Sequence, residues 1–144
     1  MKIFLDANIL VSVLNKEYPS FAFTSRLLSL ADKPGFTLST SPLCLGIAWY
    51  FAEKKSGRKI ARQKIDLLLG KLIITTMGHE TSGKAAANKK INDFEDGLQY
   101  YSAIESACNC IVTENEKDFY FSEIPVMNSR TFMEKLATNK LNLS

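Results

Sequence analysis

Short apolar, β-prone runs alternate with stretches that are apolar at helical spacing along almost all of this 144-residue chain. Lys2 to Leu5 reads as a buried strand, and Ile9, Leu10, Val13 and Leu14 follow it at the spacing of one helix face. Tyr18-Pro19-Ser20 is a break in which Ser20 is a candidate N-cap, and Phe21, Leu27, Leu28 and Leu30 predict a second helix ending near Lys33-Pro34-Gly35. Phe36 to Thr40 reads as a second strand. Ser41-Pro42 then opens a helix to about Lys55, with a capping residue ahead of a proline at the first helical position. Ser56-Gly57 interrupts it, and Ala61, Ile65, Leu68, Leu69 and Leu72 mark the apolar stripe of an amphipathic helix. Leu72 to Thr76 is the third predicted strand, Thr81 to Lys89 a small polar helix, and Asp93 to about Ala107 a longer one. Cys110 to Thr113 and Pro125 to Met127 complete five strands, and Thr131 to Leu136 is the closing helix. This alternation predicts an α/β fold with a mostly parallel sheet covered on both faces.

The length suits one domain, expected over residues 1–137, with 138–144 as a frayed C-terminal tail. No apolar run approaches the roughly 20 residues of a membrane span, so no membrane association is expected. The chain opens directly on a strand-like segment without the pattern of a signal peptide. Cys44, Cys108 and Cys110 are odd in number and lack metal or redox spacing, which suits reduced, buried thiols in a cytoplasmic protein.

Acidic and amide side chains recur where strand-like runs end or helix-like runs begin. Asp6 directly follows the first strand and Asn8 lies two residues later; Asp93, Glu95 and Asp96 open the long helix; Asn115 and Asp118 follow the fourth strand. Capping is the bland account, since Asp and Asn are both good N-caps. It explains one or two acids well, and three in four positions less well. Carboxylates at such ends can converge above one edge of a parallel sheet, where α/β folds place ligands. Oxygen donors without neighbouring histidines suit a hard cation such as Mg²⁺ or Mn²⁺.

The net charge of +3 is unevenly spread. From Lys54 to Lys71 seven bases (Lys54, Lys55, Arg58, Lys59, Arg62, Lys64, Lys71) face the single acid Asp66. From Ile91 to Ile124 eight acids face the single base Lys117. A basic arm opposite an acidic cluster suits a phosphate-bearing substrate over a metal site, although a basic run can equally be a solvated helix face. His79 has no patterned partner and reads as a solvated loop histidine. Trp49, Tyr50 and Phe51 are candidates for base stacking or for packing, and Tyr100 and Tyr101 for packing or a cleft wall.

Taken together, Ile3-Phe4-Leu5-Asp6-Ala7-Asn8-Ile9-Leu10, Ser41-Pro42-Leu43, Asp93-Phe94-Glu95-Asp96-Gly97-Leu98-Gln99 and Ile111-Val112-Thr113-Glu114-Asn115-Glu116-Lys117-Asp118-Phe119 resemble the PIN-domain family. That family includes the toxin ribonucleases of VapBC-type toxin–antitoxin pairs. The resemblance covers nearly the whole chain in order, and Pro125-Val126-Met127 followed by a helix fits its end. It implies a three-layer α/β/α fold with a five-stranded parallel sheet and a Mg²⁺- or Mn²⁺-dependent endoribonuclease site. By motif, Asp6 corresponds to the first metal-binding aspartate, Asp96 to the third acid, and Asn115 with Asp118 to the fourth-acid region. Asn8 is expected to support Asp6 by hydrogen bonding, with Asp93 an additional candidate ligand and Glu95 a supporting acid. Lys54, Lys55, Arg58, Lys59 and Arg62 are the expected contacts to RNA. The expected partners are an RNA substrate, a small antitoxin protein and a second copy of the chain in a homodimer.

One position departs from the family pattern. Many relatives carry a glutamate some four residues after Ser-Pro-Leu; here Ile47 stands there, and the next acid is Glu53. Six residues rotate Glu53 roughly 240° around a helix, so it is no substitute. A catalytically silent nucleic-acid or protein-binding domain of the same fold is therefore the alternative function.

Overall fold

The first predicted strand, β1 (Lys2–Leu5), lies in the middle of a five-stranded sheet in the computed structural model, which describes residues 1–141. Beside it run β2 (Thr37–Thr40), β3 (Ile73–Ile74), β4 (Cys110–Val112) and β5 (Val126–Met127) in the order β3-β2-β1-β4-β5. Every pair is parallel. Ile3, Phe4 and Leu5 are all at most 1% exposed, as are Cys110, Ile111 and Val112. Consecutive strand residues point to opposite faces, so both faces of the sheet are covered. The architecture is the expected α/β/α.

Seven helices supply that cover: α1 (Ala7–Asn15), α2 (Phe21–Ser29), α3 (Pro42–Ser56), α4 (Arg58–Lys71), α5 (His79–Ala87), α6 (Phe94–Glu105) and α7 (Ser129–Ala137). Helix α1 packs against α2 and α3, α3 against α4, α2 against α7, and α5 against α6. Gly57 takes the left-handed φ of 85° that lets α3 turn directly into α4. Ser41 caps α3 as its sequence signalled: its hydroxyl accepts from Cys44 N at 3.0 Å and donates to Gln99 Oε1 of α6 at 2.5 Å, deep in the core. Leu141 packs partly buried against the core, and residues 142–144 of the expected tail lie outside the described residues.

Several boundaries differ from expectation for local reasons. Strand β3 is only two residues long; Thr75 still donates its N–H to Thr40 O, but Thr76 has turned away and its carbonyl accepts the hydroxyl of Ser102. Helix α5 begins at His79, so this histidine is an exposed helix residue rather than a loop residue; Thr81 Oγ1 accepts from Gly78 N and fixes the early start. Helix α7 starts two residues early because Asn128, unflagged in the sequence, accepts from Thr131 N at 2.7 Å. Ser20 stands at the N-cap position of α2 without capping it; its hydroxyl bonds Ser12 Oγ and Glu17 O instead.

The chain order reverses at β1, with β2 on one side and β4 on the other. In open parallel sheets such a switch point leaves a crevice beyond the C-terminal strand ends. The register Leu5↔Val112 makes Asp6 and Thr113 the neighbouring residues that leave the sheet there.

Candidate active site

Asp6 is anchored at that crevice from both sides. Its N–H donates to Val112 O at 3.0 Å. One carboxylate oxygen, Oδ1, accepts from Ala7 N at 2.8 Å, capping α1. The other, Oδ2, accepts from the hydroxyl of Thr113 at 2.8 Å. The direction of that last bond is forced. Thr113 Oγ1 already receives Asn8 Nδ2 and Asn115 N, both at 3.1 Å, so its own proton goes to Asp6. Asn8 is oriented in turn by Glu114 N, which donates to its Oδ1 at 3.1 Å. The support expected from Asn8 to Asp6 thus runs through Thr113 rather than directly. Burial pushes the Asp6 carboxyl above its ordinary range, against the Thr113 and Ala7 hydrogen bonds that favour the anion. Cys44 Sγ lies 3.9 Å from Asp6 Oδ1; burial, and then the Asp6 charge, push its pKa to about 12, so it stays a thiol.

Asp6, Asn8, Asp93, Glu95, Asp96, Asn115 and Asp118 line one open cleft of about 670 Å³. They come from three segments far apart in the chain. Asp93 caps α6, accepting from Glu95 N at 2.9 Å, which puts Asp96 in the first turn of the same helix. Gly97 lets that turn pack closely, because an added Cβ would stand 3.1 Å from Ile91 and 3.2 Å from Ala85. Asp118 belongs to a 3₁₀ turn, Glu116–Phe119, following Asn115. The pKa of Asp96 is raised from 3.8 to about 7, first by desolvation and then by the negative charges of Asp93, Asp118, Asp6 and Glu95. Among the described residues none of these acids is in a salt bridge. The cleft therefore gathers unrelieved negative charge.

Chemically, this donor set of carboxylate and amide oxygens fits a hard divalent cation. Its geometry is open: among the described residues no three His, Cys, Asp or Glu side chains form a ready ligand set. A cation here would complete its shell with water, as Mg²⁺ habitually does. Ile47 is part of the cleft wall, so the residue standing in place of the family glutamate faces the site.

The basic residues expected to hold RNA lie outside this lining. Arg58 pairs with Glu53 at 3.4 Å, and Arg62 sits 5.4 Å over the Trp49 ring, whose Nε1 donates to Glu53. Lys55 donates to the Asn15 carbonyl, while Lys54 and Lys59 are exposed. Of the aromatic candidates, Phe51 lines the cleft, Tyr100 is buried, and Tyr50 is exposed. Sequence reasoning missed Thr113, Lys117 and Tyr120. Lys117 and Tyr120 also line the cleft, and Tyr120 closes its rim through hydrogen bonds with Lys90 O and Asn92 N. Thr113 was findable: it ends an apolar strand just as Asp6 does.

Known proteins match this chain in both sequence and fold. A model of the PIN domain matches residues 2–117. "Ribonuclease VapC1" of Aquifex aeolicus is 27% identical over 141 residues, covering 95% of this chain and 96% of that protein. A crystal structure of VapBC2 from Rickettsia felis, bound to a promoter DNA fragment, superposes with a TM-score of 0.67 at 23% identity, covering 89% of this chain and 98% of that one. VapBC-1 from nontypeable Haemophilus influenzae gives 0.68 at 19% identity, over 90% and 99% of the two chains. VapC20 of Mycobacterium tuberculosis, a toxin cleaving the sarcin-ricin loop, gives 0.60 at 16% identity, over 76% and 86%. At these identities the structural likenesses speak for the fold, and the sequence match over residues 2–117 speaks for the family: the chain belongs to the PIN-domain family.

Proposed function

We propose that the cleft is the site of a Mg²⁺- or Mn²⁺-dependent endoribonuclease, and that the protein is the toxin of a VapBC-type pair restrained by a small antitoxin in the cytoplasm. The observation that carries this reading is the gathering of Asp6, Asp96 and Asp118 from three distant segments around one cleft, without a cation from the protein to pair them. Its relative in Aquifex aeolicus bears the name of a VapC ribonuclease, and two fold neighbours are VapBC complexes, which supports the same reading.

In this proposal Asp6, Asp96 and Asp118 hold the cation, with Asp93 as an additional ligand and Asn115 and Glu95 in support. When bound, the cation would activate a water and stabilise charge on the scissile phosphate. The chain's own part is positional. Thr113, set by Asn8 and Asn115, keeps one face of Asp6 aimed into the cleft. Asp96 and its neighbours supply charge that a cation relieves. Lys117 lies at the cleft, and Lys54, Lys55, Arg58, Lys59 and Arg62 would hold the flanking RNA backbone without reading its sequence. Exposed Ile60, Leu67 and Leu69 on α4 and Ile73 on the edge strand support a protein interface, for the antitoxin or for a homodimer.

A silent binding domain is the second reading. It is favoured by Ile47 in the cleft wall and by the lack of a ready three-residue ligand set among the described residues. Incubating the protein with a broad RNA pool in Mg²⁺, Mn²⁺ or EDTA separates the two. Cleavage that needs the metal and is lost in Asp96→Asn supports the nuclease. An intact pool under every condition supports the silent domain.

A further inference from the structure

At the far end of α1, three lysines crowd together with no acid to balance them. Asn15, the last residue of the helix, is 5% exposed. Its carbonyl, one of the unpaired acceptors of a helix C-terminus, takes a hydrogen bond from Lys55 Nζ on α3. Its side-chain Oδ1 accepts from Lys64 Nζ on α4 at 3.4 Å. Lys16 follows directly in a left-handed conformation (φ 52°, ψ 51°) that ends the helix. The three charges feel one another: the Lys64 pKa is lowered, first by desolvation and then by Lys55 and Lys16. Elsewhere on the surface Arg58, Lys71, Lys84 and Arg130 pair with carboxylates, whereas among the described residues Lys16, Lys55 and Lys64 do not.

This cluster adjoins the carboxylate cleft. Asn15 Nδ2 donates to the carbonyl of Phe51 at 3.4 Å, and both Phe51 and Glu17, the residue after Lys16, line the cleft. Three cations drawn from three helices around a neutral amide are electrostatically costly unless an anion sits between them.

We infer that Lys16, Lys55 and Lys64 form a phosphate-binding site for the RNA backbone, through which the strand leaves the cleft past Phe51. The inference rests on the nuclease reading for its ligand, and gives that site a direction: one flank of the scissile bond lies toward the end of α1. Lysines suit the role as compact point charges that neutralise phosphate without selecting a base.

The test measures binding of a fluorescein-labelled single-stranded uridine 12-mer in EDTA, so that no cleavage intervenes, across a range of KCl concentrations. Lys16→Gln/Lys64→Gln should lower the slope of log affinity against log salt by roughly 1.4, about 0.7 for each phosphate no longer neutralised, and weaken binding on the order of tenfold at 0.1 M salt. Lys16→Arg/Lys64→Arg should keep the slope, which separates loss of charge from any loss of packing. Lys33→Gln, just before the N-terminal end of β2 and so at the opposite sheet edge from the cleft, should also leave it unchanged. Wild-type affinity and slope in the Gln pair would overturn the inference while leaving the nuclease reading in place, and would point to an acidic protein segment as the ligand. No RNA binding by the wild type would overturn both.

Discussion

The acidic cleft and the basic surface of α3 and α4 carry opposite charge, and the protein holds them in opposite ways. In the cleft, Asp6 has both carboxylate oxygens committed, and the Thr113, Asn8 and Glu114 links behind it fix the direction of each bond. On the basic surface, Lys54 and Lys59 are exposed, Arg58 reaches only a surface glutamate, and Arg62 rests on a ring. Surface ion pairs of this kind contribute little stability. Chemistry that depends on ångström-scale placement needs a built support; attraction to a polyanion does not, because it falls off only over a Debye length of about 10 Å at 0.1 M salt. Mutations in the two regions should therefore differ in kind as well as size.

The largest effect should follow from breaking the support while leaving every proposed ligand in place. Thr113→Val removes the proton given to Asp6 and strands the Asn8 amide and the Asn115 N–H, so metal-dependent RNA cleavage should fall roughly 10- to 100-fold. Thr113→Ser, which keeps the hydroxyl, should retain most of the rate. Cleavage kinetics with both variants check this, and equal rates for Val and Ser would show that the hydroxyl positions nothing.

Ile47→Glu asks whether the cleft lacks a ligand. Because residue 47 lines the cleft, the added carboxylate should tighten Mn²⁺ binding on the order of tenfold, since an opposite charge near a cation gains a few kcal/mol at the screening typical of protein surfaces. Without metal it should lower the melting temperature by adding a like charge to the cluster, and Mn²⁺ should restore it. Loss of stability that metal does not reverse would mean that position 47 cannot serve the site.

Asp96 gives a smaller, pH-dependent signal. Its folded pKa of about 7 lies above its ordinary value of 3.8, so between these values the folded state binds more protons than the unfolded chain. Stability of the metal-free protein should therefore fall as pH rises from about 4 to about 7, and this contribution should level off above that. Denaturant melts across that range, compared with Asp96→Asn, should show a flatter dependence in the variant. The smallest effect belongs to the exposed bases: Lys54→Gln/Lys59→Gln should weaken RNA binding a few-fold, with a shallower salt slope and an almost unchanged melting temperature. A marked loss of stability would mean these residues are less loosely held than their exposure implies.

Much of the fold was legible because each strand is an apolar run and each helix an apolar stripe, so β1, α1, α3 and β4 fall close to their expected limits. Legibility failed where tertiary hydrogen bonds decided: Thr76 turning to Ser102 shortens β3, and Asn128 brings α7 forward. The acids were visible as side chains with no packing role at element ends. Thr113 was not, because a threonine closing a β-strand is ordinary until the register places it beside Asp6. The tri-lysine cluster escaped for the same reason, since Lys16, Lys55 and Lys64 meet only when α1, α3 and α4 pack.

The central claim is that the cleft's carboxylates hold a divalent cation, and calorimetric titration of Mn²⁺ into the metal-free protein tests it most directly. The wild type should bind at a saturable site, and Asp6→Asn, which keeps the shape of the side chain and removes its charge, should abolish that binding. Heats that are absent in the wild type, or unchanged in Asp6→Asn, would contradict the account.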